Sequence, residues 1–426
     1  MTGPLSFCMV TTFYPPYHFG GEAMYLYRLS NALAERGHEV TVVHCVDSFR
    51  LLTRAEPRGD FPQHENVTVH RLESRLGPVS PLATYLSGRP GLKSNELDRI
   101  FESNAFDVVH FHLVTLFGPG VLRYGGDALR LYTMHDHWLV CPMYDLWKNN
   151  RELCEKPSCF SCQLSFRRPP QLWRHTSLLE RMLPEIDLFL APSRSTIHQH
   201  ERRDFAFPIR HLPYFLPLDD SPATDPYELP PGARDGRPYF LFVGRLVKLK
   251  GAQDLIDAFR RYDAADLLIA GDGVYEDELR RRAEGLEHVR FLGRVHPDSL
   301  RGLYANAVAV LVPTLVYETF GLIALEAFGR HTPVVARDLG AVAELVRESG
   351  GGLVYRTEDE LIAALEQLRN DPKRRNELGR MGHETAVARW SEEPHLEAYF
   401  AAIDEARGLH EARNARRKSE GRLLPV

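Results

Sequence analysis

Leu5–Val43, LSFCMVTTFYPPYHFGGEAMYLYRLSNALAERGHEVTVV, decides the fold. Leu5–Thr12 is apolar and rich in strand-forming residues, and Phe13–Gly21 is a loop carrying Pro15, Pro16 and the pair Gly20–Gly21. Glu22–Arg36 then has helical spacing, Gly37 stops it, and His38–Val43 is a second strand. A strand, loop, helix and strand in that order open a doubly wound parallel α/β sheet. The loop lacks G-x-G-x-x-G, and no G-x-x-x-x-G-K-[ST] occurs in the chain, so neither the dinucleotide fingerprint nor the P-loop is present. The glycine pair instead lets a ligand approach the backbone at a helix N-terminus.

The same rhythm continues on both sides of a break. Strands are predicted at Asn66–Leu72, Asp107–Phe111, Leu131–Asp136, Ile186–Ala191 and Arg210–Phe215. Pro217–Pro238 is dense in Pro, Gly and Asp and reads as a linker. Beyond it come Tyr239–Val243, the helix Gly251–Arg260, Leu267–Ala270, Val289–Leu292, Ala307–Pro313 and Pro333–Arg337. The expected domains are therefore 1–217 and 239–390, joined by 218–238, with a helix over 391–411 returning to the first domain. The basic tail 412–426 is expected to be disordered.

With 426 residues, 44% hydrophobic, 26% charged and a formal charge of −5, the chain has ample core and no global basic field. Nucleic acid is thus not an expected partner. No basic leader precedes the first apolar run, and no segment approaches the ~18 apolar residues of a membrane span, so the expected location is cytoplasmic.

Thr314–Gly329, TLVYETFGLIALEAFG, carries the candidate chemistry. A helix predicted over Phe320–Gly329 would set Glu318 and Glu326 ~12 Å apart along its axis. That is too far for two carboxylates flanking one bond, and suits clamps on the two ends of a nucleotide diphosphate sugar. The helix start between them supplies N–H donors and a partial positive charge for the diphosphate. Arg245 and Lys250, leaving the first strand and entering the first helix of the second domain, supply the cations such a ligand needs. In the first domain the end of Asp107–Phe111 delivers His110 and His112 to the sheet edge where open α/β sheets bind ligands. Leu131–Asp136 brings His135, Asp136 and His137 to a second such end.

Taken together, GGEAMYLYRLSNALAERGHEVTVV, DVVHFH, GRLVKLKG, IAGDGVYEDEL, FLGRV, YETFGLIALEAFG, LGAVAELV and GGLVY resemble the retaining glycosyltransferases of family 4 over nearly the whole chain. The resemblance implies the GT-B fold, α/β with two Rossmann-like doubly wound domains facing across a cleft. It implies transfer of a sugar from a UDP- or GDP-sugar to a hydroxyl of a carbohydrate or lipid-linked acceptor, without catalytic metal or organic cofactor. By that analogy Glu318, with the backbone N–H groups of Phe320, Gly321 and Leu322, holds the donor hexose, and Glu326 holds the ribose. Arg245 and Lys250 bind the diphosphate, Gly20 and Gly21 close over it, Arg294 lies near the base, and His112 reaches the sugar with His110 in support. His331 stands where the family commonly has glycine, and histidine tolerates a left-handed backbone better than most residues. Two other readings stay open: a nucleotide-sugar hydrolase or epimerase on the same fold, and a zinc-dependent interaction protein with a decayed site.

Cys141, Cys154, Cys159 and Cys162 fall in one loop. Four thiols there suit a structural zinc, with an iron–sulfur cluster as the other metal reading. The segment Leu164–Leu183 alternates Phe166 and Trp173 with Arg167, Arg168 and Arg174, a pattern open to peripheral membrane contact or to packing on the first domain.

Overall fold

The computed structural model describes residues 3–53, 56, 57, 59–218 and 237–419. The chain divides into two units, the first made of Met1–Pro192, Ile197–Leu212 and Leu396–Val426, the second of Ser193–Thr196 and Pro213–His395. Most of the expected linker lies outside the described residues.

In the first unit the strands are β1 (Ser6–Val10), β2 (Glu39–Cys45), β3 (Val67–Leu72), β4 (Val108–Phe111), β5 (Leu129–Thr133), a small hairpin of β6 (Trp147–Lys148) and β7 (Glu152–Leu153), then β8 (Leu188–Ala191) and β9 (Ile209–His211). Seven of them form a parallel sheet in the order β3-β2-β1-β4-β5-β8-β9. β4, β5 and β8 are buried along their whole length; β8 is wholly apolar, while β4 and β5 also carry the buried polar residues His110, Arg130 and Thr133. The helix Gly21–Glu35 buries Leu26, Leu29 and Leu33. Chain order reverses between β1 and β4, so the loop after β1 and the end of β4 share the crevice where this architecture binds ligands.

The second unit repeats the plan with β10 (Tyr239–Val243), β11 (Asp266–Ala270), β12 (Val289–Gly293), β13 (Ala309–Val312), β14 (Val334–Arg337) and β15 (Gly352–Tyr355). They form a parallel sheet in the order β12-β11-β10-β13-β14-β15, with the reversal between β10 and β13. His331 takes φ 54°, the left-handed backbone that histidine tolerates better than most residues, with its imidazole stacked 3.8 Å from that of His383.

The expectation of a disordered tail from Ala412 is corrected: the last helix runs Glu392–Ser419. Few apolar residues hold its end. Arg413 Nη2 lies 3.0 Å from the fully buried Asp187 carboxylate, and Arg413 Nη1 donates to the carbonyls of Pro184 and Glu185. Composition alone does not show such a polar anchor. Residues 420–426 lie outside the described residues. Among the described residues no helix is long and apolar enough to cross a membrane.

Candidate functional site

In the second unit the loops after β10 and β13 flank the reversal, and they are stitched together. Leu315 N–H donates to Leu249 O at 2.9 Å. Gly251 has φ 78°, and a Cβ there would stand 2.1 Å from Pro313 O, so only glycine permits the approach. This contact sets Lys250 beside Glu318, with Nζ 2.6 Å from Oε1. Thr314 Oγ1 donates to the same oxygen at 3.1 Å. Burial raises the Glu318 carboxyl, but Lys250, Thr314 and Arg245 together outweigh it and hold the group below its ordinary range. Arg245 itself is exposed.

The helix after β13 begins at Leu322, not at Phe320 as the spacing predicts. Gly321, at φ 135°, is its N-cap and provides no side-chain cap. Phe320 is turned inward against Tyr214, ring centroids 5.0 Å apart, so only its backbone is offered outward. Glu326 Oε2 accepts from Tyr304 OH at 2.6 Å. Sequence reading misses both Thr314 and Tyr304. Thr314 lies inside the stretch that was read, but Tyr304 sits in the preceding helix with no motif around it.

Arg294 is not brought to this cluster. It follows β12, two strands from β10, is 71% exposed and faces Asp272 at 3.9 Å.

In the first unit, Gly20 caps the helix Gly21–Glu35 at φ 79°. His112 continues the ladder past β4, its N–H donating to Val10 O, so His110 and His112 share one face with ring centroids 4.0 Å apart. Their environments differ. His110 is held on both sides, Nδ1 2.9 Å from Tyr399 OH and Nε2 2.8 Å from Thr133 Oγ1. His112 pairs through Nδ1 with His135 Nε2 at 2.8 Å, and its own Nε2 has no partner. Burial first, then His110 and His135, push His112 well below the usual imidazole range, so the ring is neutral at pH 7. β5 ends at Thr133, which leaves His135 and Asp136 in the loop beyond it. Burial, with Asp145 and Glu22 adding to it, raises Asp136 to about 7.

The four cysteines occupy the β6–β7 hairpin region and the helix Cys159–Ser165. Burial pushes Cys141 up to about 12, and the charges of Cys154 and Cys159 act on it. Cys162 Sγ accepts from Asn149 N–H at 3.3 Å. Among the described residues no group of three or more His, Cys, Asp or Glu is placed to hold a metal ion.

Leu164–Leu183 does not form one amphipathic helix. It is split into the turn Leu172–His175 and the short helix Leu178–Met182. Trp173 is buried and donates to Tyr85 O at 2.9 Å, while Arg174 lies over the rings of Trp138 and Trp173 and donates to Trp138 O. Trp173 and Arg174 are therefore interior groups and not surface anchors.

Residues 19–219 match the family described as Glycosyltransferase Family 4, and residues 228–385 that described as Glycosyl transferases group 1. The GDP-mannose-dependent alpha-(1-6)-phosphatidylinositol monomannoside mannosyltransferase of Mycobacterium tuberculosis is 32% identical over 207 residues, 43% of this chain and 53% of that one. The chain spans 35% to 53% of the length of the first curated relatives it matches. Among solved structures, sucrose-phosphate synthase from Thermosynechococcus elongatus has a TM-score of 0.71 at 19% identity, covering 94% of this chain and 98% of that one. Anabaena HepE in complex with UDP and glucose has a TM-score of 0.63 at 17% identity, covering 94% and 99%. These neighbours carry the GT-B fold, and the two sheets described above have its plan.

Proposed function

The chain pairs a family 4 glycosyltransferase domain with a group 1 domain on the GT-B fold, and on that premise we propose that it transfers a sugar, with retention, from a nucleoside diphosphate donor to an acceptor hydroxyl. The observation that carries the reading is the Lys250–Glu318 pair at the reversal of the second sheet. A ligand there needs hydroxyls for a carboxylate and a negative group for the cations, and a nucleotide sugar has both.

In this reading Glu318 Oε1 is fixed by Lys250 and Thr314, and Oε2 receives hexose hydroxyls. The N–H groups of Phe320, Gly321 and Leu322 assist Glu318 at the hexose. Glu326, oriented by Tyr304, takes the ribose. As the bond between the anomeric carbon and the phosphate oxygen breaks, negative charge grows on the diphosphate. Arg245 and Lys250 stabilise it, an effect worth ~10²–10³ in rate for one well-placed donor. The anomeric centre is oxocarbenium-like, the acceptor enters from the same face, and the leaving phosphate oxygen takes its proton. Among first-unit residues, the neutral His112, with Nε2 unengaged, is assigned to a sugar hydroxyl, with His110 as its support. Gly20 and Gly21 are assigned to the diphosphate. Arg294 is kept for the base through its backbone.

The donor is a UDP- or GDP-sugar and the acceptor a carbohydrate or lipid-linked saccharide, handled at the cytoplasmic face of a membrane. Both nucleotides have support among similar proteins: the mycobacterial enzyme is GDP-mannose-dependent, and HepE is seen in complex with UDP. A structural zinc in the cysteine loop is retained on the spacing of its thiols, and no step of the reaction passes through it. Metal content of the purified protein tests it.

Thermal unfolding in a panel of nucleoside diphosphates and their sugars tests the donor reading. At ~100 times the dissociation constant the right donor adds roughly 2.7 kcal/mol, and no gain with any of them overturns the reading. Product analysis with and without acceptor separates transfer from hydrolysis.

A further inference from the structure

Two short helices of the first unit are amphipathic in the wrong sense. Val79–Ser87 buries Ser80, Pro81 and Thr84 and exposes Val79, Leu82 and Leu86, which fall on one stripe. The buried hydroxyls are satisfied, Ser80 by Lys93 Nζ at 2.9 Å and Thr84 by Pro90 O. Cys159–Ser165 likewise buries Cys162 and Gln163 and exposes Phe160 and Leu164. The two are joined, since Gln163 Nε2 lies 3.3 Å from Tyr85 OH and Trp173 Nε1 bonds Tyr85 O. Leu172, 62% exposed, follows in the turn that holds Trp173, and Leu76 and Leu92, close in sequence to the first helix, are exposed as well.

Most of the large apolar side chains that the described structure leaves exposed thus fall in two segments, 75–93 and 156–175. These segments contain no Asp or Glu, in a chain with 57 of them and a net charge of −5. Arg75, Arg89 and Arg167 are exposed within them. Apolar segments that carry exposed arginines and no carboxylate of their own match an anionic bilayer, whose acyl boundary takes the leucines and whose headgroups take the guanidinium groups.

We propose that this face, formed by Val79, Leu82, Leu86, Phe160, Leu164 and Leu172 with Arg75, Arg89 and Arg167, seats the protein on an anionic lipid surface. The proposal goes beyond the sugar-transfer reading and does not rest on it. It also moves the membrane-contact reading of Leu164–Leu183, one of the two that its pattern left open, to a different set of side chains, because Trp173 and Arg174 pack inward while Leu172 and His175 are exposed.

Sedimentation of the full chain with mixed phosphatidylcholine–phosphatidylglycerol vesicles, without any sugar donor, tests it. The protein should pellet with these vesicles, less with phosphatidylcholine alone, and less at high salt. Leu82→Glu/Leu86→Glu/Phe160→Glu should abolish pelleting with the thermal midpoint unchanged, because all three side chains are exposed. Leu172→Ser, at the most exposed of the proposed positions, should weaken it several-fold, and Arg75→Gln and Arg89→Gln about fivefold each. No pelleting of the wild type overturns the proposal, as does equal pelleting of the triple variant. Self-association of the wild type that the triple variant loses, with no vesicle binding, also overturns it and makes the face a protein interface.

Discussion

Lys250 Nζ lies 2.6 Å from Glu318 Oε1, joining the loops that leave β10 and β13 on either side of the chain reversal. The pair has two jobs that one variant each can separate. Lys250→Ala removes the cation assigned to the phosphate and should lower kcat by roughly 10²-fold or more, and abolish thermal stabilisation by a nucleoside diphosphate alone. Glu318→Gln should keep that stabilisation and lose the extra increment given by the attached sugar. Identical responses of both variants to diphosphate and to sugar nucleotide would contradict the assignment.

Tyr304→Phe leaves Glu326 without its 2.6 Å donor. The expected cost is about 1 kcal/mol, read as a roughly fivefold rise in KM for the donor with kcat nearly unchanged. A fall in kcat at constant KM would move Glu326 from ribose binding to the reacting centre.

Asp136 and Glu318 should give opposite pH signatures. Glu318 is depressed in the folded state, so its stabilisation is present above its unfolded value and is lost as pH falls through the folded one. Asp136 is raised to about 7 from 3.8, so the native state holds the extra proton and stability declines as pH rises between those values. Asp136→Asn should therefore match the wild type near pH 4 and exceed it above pH 7 by on the order of 4 kcal/mol, measured by urea unfolding across pH. Equal stabilities at both ends would remove the raised carboxyl.

Arg413→Ala should destabilise the first unit by roughly 3 kcal/mol, because it withdraws an arginine from the fully buried Asp187 carboxylate. Truncation after Glu411 should do the same. A disordered tail predicts no change in either, so thermal unfolding of the two variants decides between the helix and the disorder expected from composition.

Both sheets were legible in the sequence because their central strands are buried on two faces and read as apolar runs separated by glycine turns. Glu318 and Lys250 were legible because they follow β13 and β10 at the ligand-binding edge of the sheet, and Glu326 because it stands eight residues beyond Glu318 in the helix that follows. The rest depended on contacts far apart in sequence. Tyr304 meets Glu326 across 22 residues, and Tyr399 meets His110 across 289. Arg294 was placed by analogy, and its strand sits two positions from the reversal. The inward turn of Trp173 and Arg174 was hidden for a related reason: their partners Tyr85 and Trp138 come from other segments, and the proline-broken stretch never forms the helix on which an amphipathic reading depends.

Binding of nucleoside diphosphates and nucleotide sugars by titration calorimetry, in the wild type and in Lys250→Ala, tests the central claim most directly. A nucleotide sugar should bind the wild type and bind Lys250→Ala at least tenfold more weakly, with the nucleoside diphosphate alone losing affinity by a similar factor. Equal affinity of both proteins for the diphosphate would contradict the account.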